Sequence, residues 1–444
     1  MSRSAINRAL FDIKTRVMMP HARAGYSRLV AAERAEPAGL HRSGRERTMA
    51  LARYAFERTE FYREHYSRAG FSRADLVPQN LEALPLLTKQ HVRDSGSAMR
   101  VSGMAADRFL ASVTGGSTGS PLVVYHDARA PHAAMWWRLY RWWGIDPGDD
   151  AALIYRRKHS GSAAIKEYLT WWPTRHPLLD ARDMDTDAVD AFVEQCRRVR
   201  PQLIIGYVEG VAAFARRVRE LDLNYPAPRA ISVTASALHP GQRELLQQVL
   251  GAPVYDTYRT AEVPWVAAEC QHRRGLHVQA DIRHVEIIDR RGDIANEGED
   301  GDVLLTDLTN NVFPLIRYAV GDRSSLAPGP CRCGRTLPRL EAIKGRIADV
   351  LHTPSGREVT GGLSAIFNRW PTAVQQFQIH QSADYRVELR YVPGHQADSR
   401  AVEHARQSLA RMLHHEVPVR AVAVPTIVHQ GGKARLVHSE AARA

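Results

Sequence analysis

Long apolar runs are absent from this sequence of 444 residues. No uninterrupted apolar stretch approaches the roughly 18–20 residues that a membrane-spanning helix needs. Residues 1–40 also lack the apolar segment of a secretory signal and carry arginine throughout. These absences predict a cytoplasmic protein without a membrane span.

Lysine is scarce, although basic side chains are not. Lys and Arg number 60 against 48 Asp and Glu, which gives a formal net charge of +12, yet six of the 60 are lysines and the rest arginines. The arginines are spread along the whole chain, whereas a nucleic-acid surface concentrates its basic residues in a patch or stripe. We therefore expect no nucleic-acid partner. A small anionic substrate such as a nucleotide agrees with the charge equally well.

Cysteine is rare as well, with four residues. A long chain without a secretory signal is not expected to depend on a disulfide framework. Cys331 and Cys333 are separated by one residue, and with Cys270 and either His272 or His277 they offer three thiolates and one imidazole. Such a set is typical of a closed, structural zinc site. The alternative interpretation is three reduced thiols and a surface histidine.

The pattern of apolar residues divides the chain into regions. Between residues 109 and 258, short apolar strands alternate with amphipathic helices such as 187–199, which predicts an α/β core with a parallel sheet. After residue 275, strands at 284–288, 302–308 and 313–318 joined by Gly and Asp turns predict a β module. Cys196 falls on the apolar face of helix 187–199, so we expect it in the core.

The last hundred residues have their own pattern. Residues 385–391 alternate between apolar and charged side chains, which predicts a strand with one buried face. An amphipathic helix is expected at about 398–415. We therefore predict a core over residues 1–348 and a small α+β C-terminal domain over 349–444, with a hinge near Asp349.

A loop rich in glycine and hydroxyl side chains runs from Ser112 to Pro121. Its three glycines allow successive backbone N–H groups to face an anion, and its hydroxyls can donate hydrogen bonds as well. A Walker loop would end in Gly-Lys-Ser/Thr, and this loop has no lysine. The loop is therefore a phosphate cradle of another kind or a flexible surface loop.

Four further segments are weak signals singly, at 258–262, 313–323, 343–349 and 431–435. Their order and spacing after the glycine-rich loop resemble the adenylate-forming superfamily of acyl-CoA synthetases, adenylation domains and luciferases. The closer resemblance is to the phenylacetate–CoA ligase-like family, including its capsule-biosynthesis-type branch. It extends from about residue 47 to 440 and includes segments 54–63, 84–89, 206–207 and 331–335. It implies an α/β fold: a large core of parallel-sheet subdomains with a distal β module, and a small α+β C-terminal domain.

The resemblance assigns roles to individual residues. Glu262 would help to hold Mg²⁺ through a hard oxygen ligand, and Asp322 would accept hydrogen bonds from the ribose hydroxyls of ATP. Arg346 beside the hinge would reach the ribose or phosphate, and Lys433 would lie between the carboxylate and the α-phosphate. Its ammonium would stabilise the charge that develops there. Further ATP contacts are implied for Thr114, Gly115, Gly116, Ser117, Thr118 and Gly119 at the β- and γ-phosphates, and for Ser236 and Tyr258 beside the adenine and α-phosphate.

The sequence departs from the family pattern in two places. The family has Tyr-Gly-x-Thr/Ser-Glu, whereas here Arg259 replaces the glycine and Ala261 replaces the hydroxyl residue. The segment 234–238 stands where the family has a Gly-Glu pair, which changes the wall of the adenine pocket.

Four residues are candidates for the acyl-binding pocket. Trp136 belongs to an aromatic cluster with residues 135–143, and its side chain is either one wall of that pocket or part of the core. Tyr155, Gly206 and Tyr207 follow predicted strands, at the end where α/β sheets bind ligands, although each could equally serve packing. At the metal site, the resemblance favours His277 over His272.

The resulting hypothesis is an AMP-forming ligase with ATP, Mg²⁺, structural Zn²⁺ and CoA as cofactors. It would activate a small carboxylic acid as an acyl-adenylate with release of pyrophosphate, and then transfer the acyl group to CoA. The C-terminal domain would rotate about Asp349 between the two half-reactions. Two alternatives stay open. The acceptor could be an amine, a sugar or a hydroxyl in a biosynthetic pathway, or the chain could be a nucleotide-binding protein without activity. The oligomeric state is not predicted.

Overall fold

A computed structural model describes residues 3–441, with gaps at 115–121, 156–161, 182–183, 239, 344–350, 360–362, 364–365, 368–369, 371–372, 395–396 and 428–435. The helices in the described part are α1 (Arg3–Met18), α2 (Pro20–Ala32), α3 (Pro37–Arg58), α4 (Glu60–Arg68), α5 (Lys89–Ser95), α6 (His132–Trp142), α7 (Ser162–Trp171), α8 (Thr186–Val199), α9 (Val208–Glu220), α10 (Pro240–Leu250) and α11 (Ser399–Met412). Short 3-10 turns lie at Arg73–Asp75, Pro78–Asn80, Gly96–Met99 and Ala106–Arg108.

The strands form five sheets in the described part of the chain. They are β1 (Phe109–Thr114), β2 (Leu122–Asp127), β3 (Ala151–Tyr155), β4 (Leu178–Asp180), β5 (Leu203–Tyr207), β6 (Ala230–Thr234), β7 (Val254–Tyr258), β8 (Ala267–Glu269), β9 (Leu276–Val278), β10 (Arg283–Ile288), β11 (Gly301–Asp307), β12 (Tyr318–Ser324), β13 (Arg339–Leu340), β14 (Leu351–His352), β15 (Glu358–Val359), β16 (Val374–Gln381), β17 (Val387–Pro393), β18 (Val419–Ala423) and β19 (Val437–Ser439).

The largest sheet has eight strands in the order β13-β9-β8-β7-β6-β5-β3-β4. The five strands from β4 to β7 are parallel, and the remaining three continue the sheet in antiparallel pairing. Helices connect the parallel strands, because parallel neighbours need a crossover. The predicted α/β core is thus confirmed.

Helix α8 illustrates how the local sequence specifies these elements. The Asp185 side chain accepts a hydrogen bond from the backbone N–H of Ala188 at 2.7 Å and so caps the first turn. The helix ends at Arg200, which adopts a left-handed φ of 53° directly before Pro201. Between these limits its apolar face is buried against the sheet through Val189, Phe192, Val193 and Cys196.

The β module is a three-stranded antiparallel sheet in the order β10-β11-β12. The strands expected at 284–288 and 302–308 correspond to β10 and β11. The strand expected at 313–318 is wrong, because β12 begins at Tyr318 and the preceding residues form a buried loop. Arg317 breaks the extended backbone with a left-handed φ of 47°. Its guanidinium is held there by the Glu286 carboxylate at 3.1 Å and by the carbonyl of Leu84 at 2.6 Å.

The N-terminal helices pack against the core in a way the sequence did not indicate. Arg8 in α1 makes two hydrogen bonds to the Asp149 carboxylate, at 2.9 and 3.0 Å. The buried Glu33 carboxylate, after α2, accepts hydrogen bonds from the indole of Trp142 at 2.7 Å and from Arg141 at 2.9 Å. These contacts attach α1 to the loop that follows α6, and the end of α2 to α6 itself.

The C-terminal region contains a four-stranded sheet in the order β18-β17-β16-β19, covered by α11. Its buried apolar side chains, from Leu351 to Val437, form a cluster of their own. The strand expected at 385–391 and the helix expected at 398–415 are present as β17 and α11, and each end lies within three residues of its predicted position. The boundary at 348/349 lies in a gap of the described residues and stays a prediction. No described helix combines the length and the apolar character needed to cross a membrane.

Candidate active site

Several predicted site residues meet at the carboxyl ends of the parallel strands. Tyr155 ends β3 and Tyr207 ends β5, and their rings meet edge to face with centroids 5.0 Å apart. Ser236 follows β6 through the left-handed Ala235 (φ 77°) and is exposed. Tyr258 ends β7. Because parallel strands present their carboxyl ends at one edge, this edge is the candidate site.

Gly206 is at this edge for a packing reason. A Cβ atom on it would lie 2.6 Å from Cγ2 of Val211 and 2.7 Å from the carbonyl oxygen of Ile154. A side chain would therefore push β5 away from β3 and α9. Gly206 fixes the spacing of the strands that carry Tyr155 and Tyr207.

Tyr258 and Asp322 are the most specific polar contact of the site. The Tyr258 hydroxyl donates a hydrogen bond to Oδ2 of Asp322 at 2.8 Å, although the two residues are 64 positions apart. Tyr258 is 8% exposed and Asp322 9% exposed. The contact joins β7 of the large sheet to β12 of the β module, and it orients a carboxylate at the sheet edge.

Glu262 lies close to this pair. Its carboxylate accepts a hydrogen bond from the Tyr318 hydroxyl at 3.4 Å, and both side chains are buried. Burial, with the nearby Glu262 charge as a second cause, raises the pKa of Tyr318 well above its usual value, so the phenol stays a hydrogen-bond donor. Glu262 is thus a buried, oriented carboxylate, the type of group that Mg²⁺ prefers as a ligand.

The stem of the glycine-rich loop lies against the same segment. Strands β1 and β2 pair up to Thr114 opposite Leu122. The Ser112 hydroxyl donates to the carbonyl of Ala261 at 3.2 Å, and Nε2 of His126 donates to the same oxygen at 2.9 Å. Burial lowers the pKa of His126, which keeps the ring neutral. The stem is therefore attached beside Glu262.

Sequence reasoning missed three residues at this site: Tyr318, His126 and Lys89. Tyr318 stands in segment 313–323, but the resemblance assigns it no role. His126 is a single polar residue in a strand and has no distinctive sequence signal. Lys89 is half-buried at the start of α5, where a Cβ atom on Gly321 would lie 3.7 Å from its Nζ. Its signal was available, because it is one of six lysines and stands in the segment 84–89.

The aromatic residues of α6 divide between core and site edge. Trp137, Trp142 and Trp143 are buried, and Trp143 stacks on Tyr255 with centroids 5.3 Å apart. Trp136 is half-buried, with its ring 4.8 Å from that of Tyr140. It packs in one cluster with Ile205 of β5 and Trp265, which agrees with a pocket wall at this edge.

The predicted metal ligands form a compact cluster elsewhere on the sheet. One ligand atom each from Cys270, His277, Cys331 and Cys333 lies within 4.8 Å of the others. Sγ of Cys270 is 3.7 Å from Sγ of Cys331, and Nε2 of His277 is 3.3 Å from Sγ of Cys333. His272 is not a member. Three sulfurs and one imidazole fit zinc in number, type and proximity.

The histidine is oriented for ligation. Its Nδ1 donates to the carbonyl of Leu337 at 3.2 Å, which leaves the Nε2 lone pair toward the sulfurs. Burial lowers the pKa of His277 to about 4 and raises the pKa of Cys270 to about 12. A divalent cation would favour the thiolates that bind it.

Several predicted residues lie outside the described part of the chain. These are Gly115, Gly116, Ser117, Thr118 and Gly119 of the loop, Arg346, and Lys433. Thr114 ends β1, and its side chain is not described. Their roles stay predictions.

Comparison with known proteins gives the class. No protein-family model matches the chain. In a crystal structure of 2-hydroxyisobutyryl-CoA ligase in the postadenylation state, the matched region covers 92% of this chain and 91% of that chain, with a TM-score of 0.74 and 22% identity. The fold is therefore that of the adenylate-forming ligases, and the predicted fold class is confirmed.

Sequence relatives narrow the class. The phenylacetate-coenzyme A ligase of Thermus thermophilus is 25% identical over 352 residues, which cover 75% of this chain and 76% of the relative. The enzyme of the same name from Escherichia coli is 25% identical over 349 residues, 76% of each chain. The chain is thus similar over about three quarters of its length to the phenylacetate-coenzyme A ligases, the enzymes that the sequence motifs resemble.

Proposed function

We propose that this protein activates a small carboxylic acid with ATP, releases pyrophosphate, and transfers the acyl group from the acyl-adenylate to CoA. The observation that carries the proposal is the Tyr258–Asp322 hydrogen bond, 2.8 Å long, beside the buried Glu262 at the carboxyl ends of the parallel strands. Relatives named phenylacetate-coenzyme A ligase support the choice of CoA as acceptor.

Asp322 would bind the ribose of ATP. One of its carboxylate oxygens accepts the Tyr258 hydroxyl, so the side chain is held in one orientation. A carboxylate has two oxygens that together can accept several hydrogen bonds, and ribose offers two hydroxyl donors. Because the Asp322 side chain is already oriented, binding of the ribose would require little rearrangement of this carboxylate.

Glu262 would hold Mg²⁺, which supplies a positive charge next to the phosphates during transfer. Tyr318 donates to this carboxylate and would keep it oriented. The glycine-rich loop, on a stem attached through Ser112 and His126 to Ala261, would present its N–H groups to the β- and γ-phosphates. The attack of the substrate carboxylate on the α-phosphate then depends on positioning and charge stabilisation.

Lys433 and Arg346 would complete the site from the C-terminal side. The Lys433 ammonium would neutralise the charge that develops on the α-phosphate oxygens as the carboxylate attacks. Rotation of residues 349–444 about Asp349 would then remove Lys433 and admit the acceptor.

We further propose that Cys270, His277, Cys331 and Cys333 hold one structural Zn²⁺. Four protein ligands leave no open position, so the ion would crosslink the chain and take no part in the reaction. It would tie the end of β8 and strand β9 to the turn at 331–333, where Gly334 takes a φ of +76°.

A substitution at Glu262 tests the proposed active site. Glu262→Gln removes the negative charge and keeps the shape, so we expect pyrophosphate release to fall about 100-fold, in line with the loss of a charged contact in a transition state. The matched control is Glu297→Gln, an exposed carboxylate in a turn. It is expected to stay within about twofold, the range of a surface substitution.

The products distinguish the acceptor. We expect the protein to form an acyl-CoA thioester in a reaction that depends on ATP and free CoA. An amide or ester formed in place of the thioester would contradict CoA as acceptor. ATP binding without pyrophosphate release, across a panel of aryl, alkyl and amino acids, would contradict the enzymatic proposal.

A further inference from the structure

Arg259 occupies an unusual position for a cation. It directly follows Tyr258, whose hydroxyl binds Asp322, and precedes the buried Glu262 by three residues. Its side chain is half-buried, and its guanidinium carbon lies 4.9 Å from the ring centre of Trp265. Tyr258 thus faces the candidate ribose carboxylate, whereas Arg259 contacts the aromatic side of the strand.

No acid partner of this cation is found in the described part of the chain. Among the residues that the structure describes, none has a carboxylate oxygen within 4.0 Å of the Arg259 guanidinium. The buried arginines of the same core behave differently. Arg283 pairs with Asp307 at 2.6 Å, and Arg317 pairs with Glu286 at 3.1 Å. A cation–π contact compensates a desolvated guanidinium only in part, so Arg259 retains capacity for an anion.

The surroundings of Arg259 form an aromatic wall. The ring of Tyr140 lies 4.8 Å from that of Trp136, and Trp136 and Trp265 pack against the same buried cluster. Burial raises the pKa of Tyr140, and the positive charge of Arg259 acts in the opposite direction. The Tyr155 phenol also raises the pKa of Tyr140. The ring centroids of Tyr155 and Tyr207 are 5.0 Å apart. Tyr155 and Tyr207 end β3 and β5, and Arg259 directly follows β7, whereas Trp136 and Tyr140 belong to α6.

We propose that Arg259 determines the substrate: it binds a second carboxylate of the acid that is activated, so that this protein acts on dicarboxylic acids. The inference rests on the proposed ligase function, because it places the second carboxylate in the acyl pocket of that reaction. Of the substrate's two carboxylates, one would be activated beside Glu262. The other would accept the guanidinium hydrogen bonds while the body of the acid lies against the aromatic wall.

Matched pairs of acids and three variants provide the test. The pairs are succinate and butanoate, adipate and hexanoate, and terephthalate and benzoate, which differ by one carboxylate within each pair. Arg259→Met removes the charge and keeps the length, whereas Arg259→Lys keeps the charge. Arg100→Met is the matched control, because Arg100 also lies over an aromatic ring, that of Phe109 at 4.1 Å, away from the site.

The expected result is a preference for dicarboxylic acids that depends on Arg259. The wild type should release pyrophosphate with a kcat/KM at least about 10-fold higher for at least one dicarboxylic acid than for its monocarboxylic partner, as one charged contact predicts. Arg259→Met should lose that preference mainly through a higher KM for the dicarboxylic acid, with KM for ATP unchanged. Arg259→Lys should keep part of it, and Arg100→Met all of it.

A second measurement separates this inference from the proposed function. Calorimetric titration of wild type and Arg259→Met with the same acids reports binding without turnover. If no acid releases pyrophosphate but a dicarboxylic acid binds in an Arg259-dependent way, the ligase proposal fails and the role of Arg259 stands. Equal binding and activation by Arg259→Met, a wild type that prefers the monocarboxylic partners, no binding of any dicarboxylic acid, or an effect on KM for ATP alone would each overturn the inference.

Discussion

Two regions of the eight-stranded sheet lie beside different kinds of polar side chains. We call the region at the carboxyl ends of its parallel strands, beside Asp322 and Glu262, the open end, and the region around Cys270 and His277 in its antiparallel part the closed end. At the carboxyl ends of the parallel strands, Asp322 of β12 and Glu262 after β7 each accept a hydrogen bond from a tyrosine hydroxyl. At the antiparallel end, Cys270, His277, Cys331 and Cys333 direct their ligand atoms at one another within 4.8 Å. The first set is arranged to bind a ligand from solution, whereas the second set is complete once a single metal ion is bound.

The difference follows from strand direction. Parallel strands end at one edge and leave through loops to helices, so their last residues line a cleft. The antiparallel strands β7, β8 and β9 return through short turns, which brings residues close in sequence, such as Cys270 and His277, into contact. The same sheet therefore supports an open site at one end and a closed crosslink at the other.

The largest expected effect concerns the open end. Lys433→Ala removes the proposed ammonium from the transition state, and we expect carboxylate-dependent ATP–pyrophosphate exchange to fall about 100- to 1000-fold. Transfer from a supplied acyl-adenylate to CoA should be retained. Lys166→Ala, an exposed lysine of α7, is the control and should exchange normally. Unchanged exchange in Lys433→Ala would refute the role of this residue.

The next effect concerns the closed end. Cys333→Ser removes one of four ligands, so we expect loss of zinc by metal analysis and a decrease of about 3 kcal/mol in the free energy of unfolding, the amount that release of a bound ligand supplies. While the protein stays folded, its kcat should change less than about twofold. Cys196→Ala, whose sulfur is buried against α8 neighbours, should keep its zinc. Zinc well below one per chain in the unchelated wild type would contradict the site.

A smaller effect sharpens the open end further. Tyr258→Phe leaves Asp322 without its hydroxyl donor, and KM for ATP should rise about 10-fold, the loss of one hydrogen bond to a charged group. Tyr54→Phe removes a phenol that donates to the carbonyl of Asn311 at 3.2 Å, away from the site, and should leave KM unchanged. An identical KM in both variants would show that the Tyr258–Asp322 contact does not orient the ribose site.

The two ends also differ in how far the sequence predicts them. Alternating strands and helices predict the parallel sheet, because each element carries its own periodic pattern, as α8 does. The spacing of Cys331 and Cys333 predicts a metal site, while the choice between His272 and His277 needs the register of β9. The Tyr258–Asp322 contact spans 64 residues, and no local pattern indicates it.

The errors have local causes. Segment 313–318 reads as a strand because it is apolar, yet the left-handed Arg317 delays β12 to Tyr318. That turn depends on Glu286 and on carbonyls after α4, which are distant in sequence. The first two helices carry weak apolar patterns, since they are attached partly through polar contacts such as Arg8–Asp149.

The central claim is that the open end of the sheet forms an acyl-adenylate. The most direct measurement is mass spectrometry of the products after wild-type protein is mixed with ATP, Mg²⁺ and a panel of mono- and dicarboxylic acids without CoA. We expect acyl-AMP bound to the protein together with pyrophosphate. Formation of ADP and phosphate, or unchanged ATP with every acid, would contradict it.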